Sequence, residues 1–192
     1  MKLFSILAAL LLAACGQSGQ QDHAATPTPA KPSAPQTSGA ALVNADFEQS
    51  GTDDDVPGWY KTQHAGPPSY RMRIDPVDVF AGHGSFHMTR TEPQVYGSLT
   101  QTVDARPYAG KTIELSAMVK SRGVGPEGWK LFVDADLPNT LAYSPGLTGD
   151  NAWKRESVRL KVPAIAQRMI VGVTLLDAGD GWMDNVELKV VD

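Results

Sequence analysis

Thr112-Ile113-Glu114-Leu115-Ser116-Ala117-Met118-Val119-Lys120 alternates residue by residue, with Ile113, Leu115, Ala117 and Val119 on one side. A period of two is that of a β-strand with one buried face. The same pattern recurs outward from this run. Ser157-Val158-Arg159-Leu160-Lys161-Val162 alternates and stops at Pro163. Arg168-Met169-Ile170-Val171-Gly172-Val173-Thr174-Leu175-Leu176 is apolar on both sides and reads as a central strand. The last run places Trp182, Asp184, Val186, Leu188 and Val190 on one face. Further strands are expected near Tyr70–Ile74, Ser85–Thr91, Ser98–Val103 and Trp129–Ala135. Turn residues separate them: Pro67-Pro68, Gly82, Gly84, Gly97, Gly110, Gly125-Pro126, Pro138-Asn139 and Gly149. Many short strands between turn signals, with no sustained helical period, predict an all-β chain folded as an antiparallel β-sandwich or jelly roll.

This domain is expected over 41–192, about 150 residues and enough for one core. Upstream the composition changes twice. Met1-Lys2 is followed by the uncharged apolar run Leu3–Leu12. A basic start and a short apolar core are the layout of a secretory signal. The run is shorter than the roughly 20 apolar residues that span a bilayer. It ends Leu12-Ala13-Ala14-Cys15-Gly16. This motif resembles the lipobox of bacterial lipoproteins, in which the chain is cut before the cysteine and the cysteine is acylated. The resemblance implies a signal peptide over 1–14, lipidation of Cys15 and export to the cell envelope. Gly16 stands where an aspartate favours the inner membrane, which implies the outer membrane in an organism that has one. Residues 15–40 are rich in Pro, Ala and Thr, have no apolar period, and read as an extended tether. Cys15 is the sole cysteine, so no disulfide forms within the chain. The formal charge of −4 becomes −5 once Lys2, the only charge in the signal, is removed. Mild acidity gives no electrostatic case for nucleic acid.

Three segments of the domain carry a second resemblance. It opens Leu42-Val43-Asn44-Ala45-Asp46-Phe47-Glu48, then Val56-Pro57-Gly58-Trp59. Its middle reads Tyr108-Ala109-Gly110-Lys111-Thr112-Ile113-Glu114-Leu115. Its end holds Trp153, Val162-Pro163, Val171-Gly172-Val173 and Gly181-Trp182-Met183-Asp184-Asn185-Val186. Together these resemble the galactose-binding-like jelly roll, and within it the carbohydrate-binding modules of families four, nine and twenty-two. Ala45 departs from the usual glycine of the opening motif, and Asn185 from the second aspartate of the closing one. The resemblance implies a structural Ca²⁺ shared by Glu48 and Asp184, with oxygen ligands that suit that ion. Read from the residues alone, Asp184 either holds a cation or accepts backbone N–H bonds. Asp53-Asp54-Asp55 reads as a solvated loop.

A sugar site needs flat aromatic faces and a few polar groups for hydroxyls. The resemblance gives Trp59, Trp153 and Trp182 packing positions. Trp129, Tyr143, Tyr96, Tyr70 and Tyr60 remain as platforms, with His87, Arg90 and Gln101 as hydroxyl partners. Trp129 is foremost because Gly128 precedes it; the other reading is that it continues the buried face of Leu131 and Val133. For catalysis, His83, Ser85 and His87 share a strand face, but His83 and His87 would lie about 13 Å apart along it. There is no Gly-x-Ser-x-Gly elbow, His-Glu-x-x-His pair or phosphate loop. The expected function is a non-catalytic, carbohydrate-binding module on a membrane anchor. The alternative is an envelope lipoprotein that binds protein partners and no sugar.

Overall fold

The computed structural model describes residues 42–192 apart from Asp53. The signal peptide, Cys15 and the tether lie outside the described residues. Among the described residues nine strands follow one another: β1 (Tyr60–Gln63), β2 (Tyr70–Asp75), β3 (Ser85–Arg90), β4 (Gly97–Asp104), β5 (Thr112–Asp134), β6 (Ala142–Tyr143), β7 (Leu147–Lys161), β8 (Arg168–Leu175) and β9 (Asp180–Val190). The described residues contain no α-helix, only a single 3-10 turn at Arg106–Tyr108. All strand pairs are antiparallel, along the path β1-β4-β8-β5-β9-β3-β2, with β6 and β7 added to β5.

β5 organises the sandwich. The sequence pattern expects two strands separated by a turn at Gly125-Pro126; the structure has one strand of 23 residues. It stays continuous because its ladder with β7 slips at three places between Val119 and Trp129, where Gly123 and Gly128 have φ of 60° and 89°. Those irregularities bend the strand from one layer into the other. Its first half pairs with β7 and β9, which continues through β3 and β2 and makes the first layer. Its second half pairs with β6 and β8, which continues through β4 and β1 and makes the second layer. Alternate residues of both layers meet in one core, including Phe86, Met88, Leu99, Leu115, Trp129, Leu131, Val171 and Val173. Each such side chain, fully buried, contributes about 1.5–3 kcal/mol.

The closing strand differs from its expected pattern. The ladder between β9 and β5 shifts register between Ser116 and Met118, and Asn185 sits there at φ 47°. This bulge reverses the parity of β9. Trp182 and Asp184 lie on the outer face, paired with Lys120 and Met118, while Leu188 and Val190 face the core beside Leu115 and Ile113. An uninterrupted strand would have placed all of them on one side.

Candidate functional site

The outer face of the second layer carries an aromatic row. The registers of four ladders place Tyr60, Thr100, Gly172, Phe132 and Tyr143 side by side across five strands. The row arises from alternation: Leu99, Leu131, Val133, Val171 and Val173 are the inward neighbours, so Thr100, Phe132 and Gly172 point out. Tyr60 is 78% exposed at one end and Tyr143 47% exposed at the other. Phe132 and Tyr143 lie 6.0 Å apart between ring centroids, tilted by 53°. At about 4.8 Å per strand, Tyr60 to Tyr143 is roughly 19 Å. Gly172, buried at the centre of the row, adds no side chain there. A Cβ there would run into the carbonyl oxygen of Leu99, so the close strand approach itself demands glycine.

Polar rows flank the aromatic one. On one side, Thr62, Ser98, Thr174 and Lys130 are in register. The Ser98 hydroxyl donates to Thr174 Oγ1 at 2.9 Å, and Thr174 donates to the Gly97 carbonyl at 3.0 Å. On the other side stand Thr102, Ile170 and Asp134. Asp134 Oδ1 accepts from the Thr140 hydroxyl at 2.8 Å and the Asp136 N–H at 3.0 Å. Ser98 and Thr174 are buried and satisfied by these bonds, so the polar groups beside the rings that a ligand's hydroxyls could meet are Thr62, Thr102, Lys130 and Asp134, while the ring faces can stack on C–H surface.

The residues singled out from sequence divide between faces. Tyr143 is in the row. Tyr96 has the parity of Ser98 and Thr100 on the same layer, four residues from Thr100, with its ring edge-on to His64 at 6.1 Å. Trp129 is not a platform: it is 1% exposed. It continues the inward face of Leu131 and Val133, stacks on Phe86 at 6.3 Å, and fills the space that Gly181 leaves. Its Nε1–H donates to the Trp182 carbonyl at 3.1 Å. His87 is buried on the first layer, its ring stacked 4.5 Å from Trp182 and its Nε2 2.9 Å from Asp180 Oδ1. Burial holds the His87 pKa below the ordinary imidazole value, against the opposing pull of Asp180. Arg90 fastens two loops, donating to Asp177 Oδ1 at 3.2 Å and to the Gln94 carbonyl at 3.2 Å. His87 and Arg90 therefore do not join Tyr143 and Tyr96. Gln101 is also buried, holding the Val43 and Gly58 carbonyls. Trp59 packs in the core against Phe47, whereas Trp153 is partly exposed on the outer face of the first layer. Phe132 was absent from the sequence candidates, although its parity opposite Leu131 and Val133 marks it as outward.

Glu48 and Asp184 both hold the loop between β2 and β3. Asp184 Oδ2 accepts the Phe80 and Ala81 N–H groups, each at 3.1 Å, and Oδ1 accepts the Asn185 N–H at 2.7 Å. Burial raises the Asp184 pKa, opposed by those N–H bonds. Glu48 Oε1 accepts the His83 and Gly84 N–H groups at 2.8 and 3.3 Å. The His83 N–H leads in holding the Glu48 carboxyl below its usual range. A Ca²⁺ ion takes six to eight oxygen ligands. The two carboxylates lie near enough for the Glu48 charge to act on Asp184, and the amide N–H groups take three acceptor positions of Asp184 and two of Glu48. Both side chains fasten the loop, and their remaining oxygen lone pairs are the ones that would hold a Ca²⁺ ion.

No family model matches the chain. An uncharacterised HTH-type transcriptional regulator of Bacillus subtilis (strain 168), YbfP, is 29% identical over 154 residues, 76% of this chain. The chain spans about half the length of that relative, 52%. Among solved structures, the module TmCBM61 in complex with β-1,4-galactotriose has a TM-score of 0.55 at 16% identity, covering 78% of this chain and 97% of that one. A structure described as CBM4 has a TM-score of 0.53 at 17% identity, covering 79% and 100%. The CBM22-1 xylan-binding domain of Paenibacillus barcinonensis Xyn10C has a TM-score of 0.52 at 14% identity, covering 80% and 96%. The domain therefore has the jelly-roll fold of the carbohydrate-binding modules, families four and twenty-two among them.

Proposed function

We propose that this chain is an exported lipoprotein that presents a non-catalytic glycan-binding module. The observation that carries the reading is the row Tyr60-Thr100-Gly172-Phe132-Tyr143, its end tyrosines exposed and its flanks holding Thr62, Thr102 and Lys130 on the same face. Its length of roughly 19 Å matches a short stretch of polysaccharide rather than one sugar ring. The jelly-roll neighbours support the ligand class. The apolar run before Cys15 and the proline-rich tether support lipid anchoring at the cell envelope, at the outer membrane where one exists. Burial of Trp129 favours the alternative, an envelope lipoprotein with protein partners, because it removes one expected platform.

The test is a pull-down of the full chain on insoluble β-1,4-galactan and β-1,4-xylan. Wild type is expected to bind one of them. Tyr60→Ala and Tyr143→Ala are each expected to weaken binding by about fivefold to tenfold, the equivalent of about 1 kcal/mol per aromatic contact. Wild-type binding that survives unchanged in the Tyr60→Ala/Tyr143→Ala double variant would remove this face from consideration.

A further inference from the structure

The outer face of the first layer holds a second set of aromatic groups. Lys120, Trp182 and His87 are in register across β5, β9 and β3. Trp182 is closed off: His87 stacks on its ring, and Lys120 Nζ and Arg122 Cζ lie 5.2 and 5.3 Å from the ring centroid. On the neighbouring β7, Trp153 adjoins Lys154, the partner of Val119, and remains partly open to solvent.

The loop between β2 and β3 lies over this face and is pinned at successive residues. The Val77 N–H donates to Asp75 Oδ1 at 3.0 Å, and the Ser85 hydroxyl donates to the Asp78 carbonyl at 2.7 Å. Lys120 Nζ donates to Asp78 Oδ1 at 2.5 Å, and Asp184 takes the Phe80 and Ala81 N–H groups. A loop fastened this way has few conformations left to lose on binding. Yet Val77 is 85% exposed and Phe80 44% exposed, with the Phe80 ring 6.0 Å from Trp153 and tilted by 58°. Neither belongs to the core. The charges around the pair are matched. Lys120 is tied to Asp78, and Arg155, two residues along β7 from Trp153, donates to Glu187 Oε2 at 2.5 Å and Ser116 Oγ at 2.6 Å. Paired charges exert little net field, while an ammonium with three N–H groups and a guanidinium with five keep donors free for neutral acceptors.

We propose that Phe80 and Trp153 form a second glycan platform, for a neutral pyranose chain, on the face opposite the Tyr60–Tyr143 row. The inference rests on the glycan-binding reading for its ligand class. Stacked layers lie about 10 Å apart, so the two platforms stand back to back and one domain holds two polysaccharide chains. Two sites on one body make binding multivalent and cross-linking.

Trp153 makes the site testable by itself. Of the four tryptophans, Trp59, Trp129 and Trp182 are buried, so quenching of emission by acrylamide reports on Trp153. The full chain is titrated with soluble β-1,4-galactan and β-1,4-xylan, read by acrylamide quenching and by light scattering. The expected result is that glycan protects Trp153 at least twofold against quenching, and that the protection persists in Tyr60→Ala/Tyr143→Ala. Scattering from cross-linked chains is expected for wild type and lost in that double variant. Phe80→Ala, a loop change that leaves the ladders intact, is expected to raise about tenfold the glycan concentration needed for half-maximal protection, while the pull-down on insoluble glycan continues. Unprotected Trp153 in a wild-type chain that still pulls down on glycan would overturn this second platform and leave the first intact. The same follows if a protein partner, and no glycan, protects Trp153.

Discussion

Asp184 shows how one side chain can fasten a loop. Its carboxylate is fully buried, and three amide N–H groups converge on it. Removing it leaves those donors without a partner, which costs about 1–3 kcal/mol in a buried setting. Asp184→Ala is therefore expected to lower stability in urea by about that amount and to speed hydrogen exchange at Phe80 and Ala81. If N–H groups do the holding, adding Ca²⁺ or a chelator leaves the wild-type melting temperature unchanged. A Ca²⁺-dependent rise that Glu48→Gln abolishes would support the shared-cation reading. His87 gives a pH dependence of definite sign. Burial lowers its pKa from 6.5, so the unfolded chain binds the proton more readily. Its contribution to stability is then present above 6.5 and is lost as pH falls toward the lowered folded value. The charged groups facing it are Asp180, Asp75 and Arg73, with Lys120 and Arg122 over the Trp182 ring it stacks on and Arg122 bonded to Asp180. His87→Gln is expected to flatten the decline in melting temperature between pH 7 and pH 5; an equal slope in both proteins would remove His87 as its cause.

At the scale of elements, alternation located most of the strands but could not register their interruptions. Ile113, Leu115 and Val119 face inward as their period of two requires. β9 breaks its own pattern because Asn185 takes a left-handed conformation, and one extra residue sends Trp182 and Asp184 to the opposite face from Leu188. Nothing in an apolar–polar pattern marks that residue, since asparagine occurs in ladders and turns alike. β1 and β6 were also illegible: each is short, and each depends on a ladder partner far away in sequence. The aromatic row was legible only in part for the same reason. Tyr60 and Tyr143 are visible as aromatics, but their alignment with Phe132 is a property of four registers. The bulge makes a prediction. Asn185→Val places a β-branched side chain at φ 47° and is expected to cost about 1–2 kcal/mol, whereas Asn185→Gly should change stability by only a few tenths. Equal urea midpoints for the two variants would mean the bulge relaxes. Gly172→Ala is expected to destabilise by about 1–3 kcal/mol, because its Cβ meets the Leu99 backbone.

At the scale of the molecule, the β-class, the jelly-roll architecture and the family resemblance could be read in advance because core packing motifs fix them: Phe47, Trp59 and Trp129 all lie in the core cluster. That same packing made Trp129 a poor choice of platform. Motif residues are shared among jelly rolls because they are buried, whereas a ligand face is built from whatever points outward between them. The proposed anchor obeys a different logic, being a short linear signal whose meaning does not depend on the fold. In sequence, residues 16–40 lie between it and the domain. The two properties should therefore be separable. In cells expressing the full chain, Cys15→Ser is expected to move the protein from the detergent phase to the aqueous phase on phase partitioning, since loss of the acyl chains removes about 0.8 kcal/mol for each buried methylene. Its binding to insoluble β-1,4-galactan or β-1,4-xylan should stay that of wild type. Tyr60→Ala/Tyr143→Ala should do the reverse, staying in the detergent phase while its binding to the glycan weakens. Retention of the Cys15→Ser chain in the detergent phase would show that something other than a lipid on Cys15 holds it at the membrane.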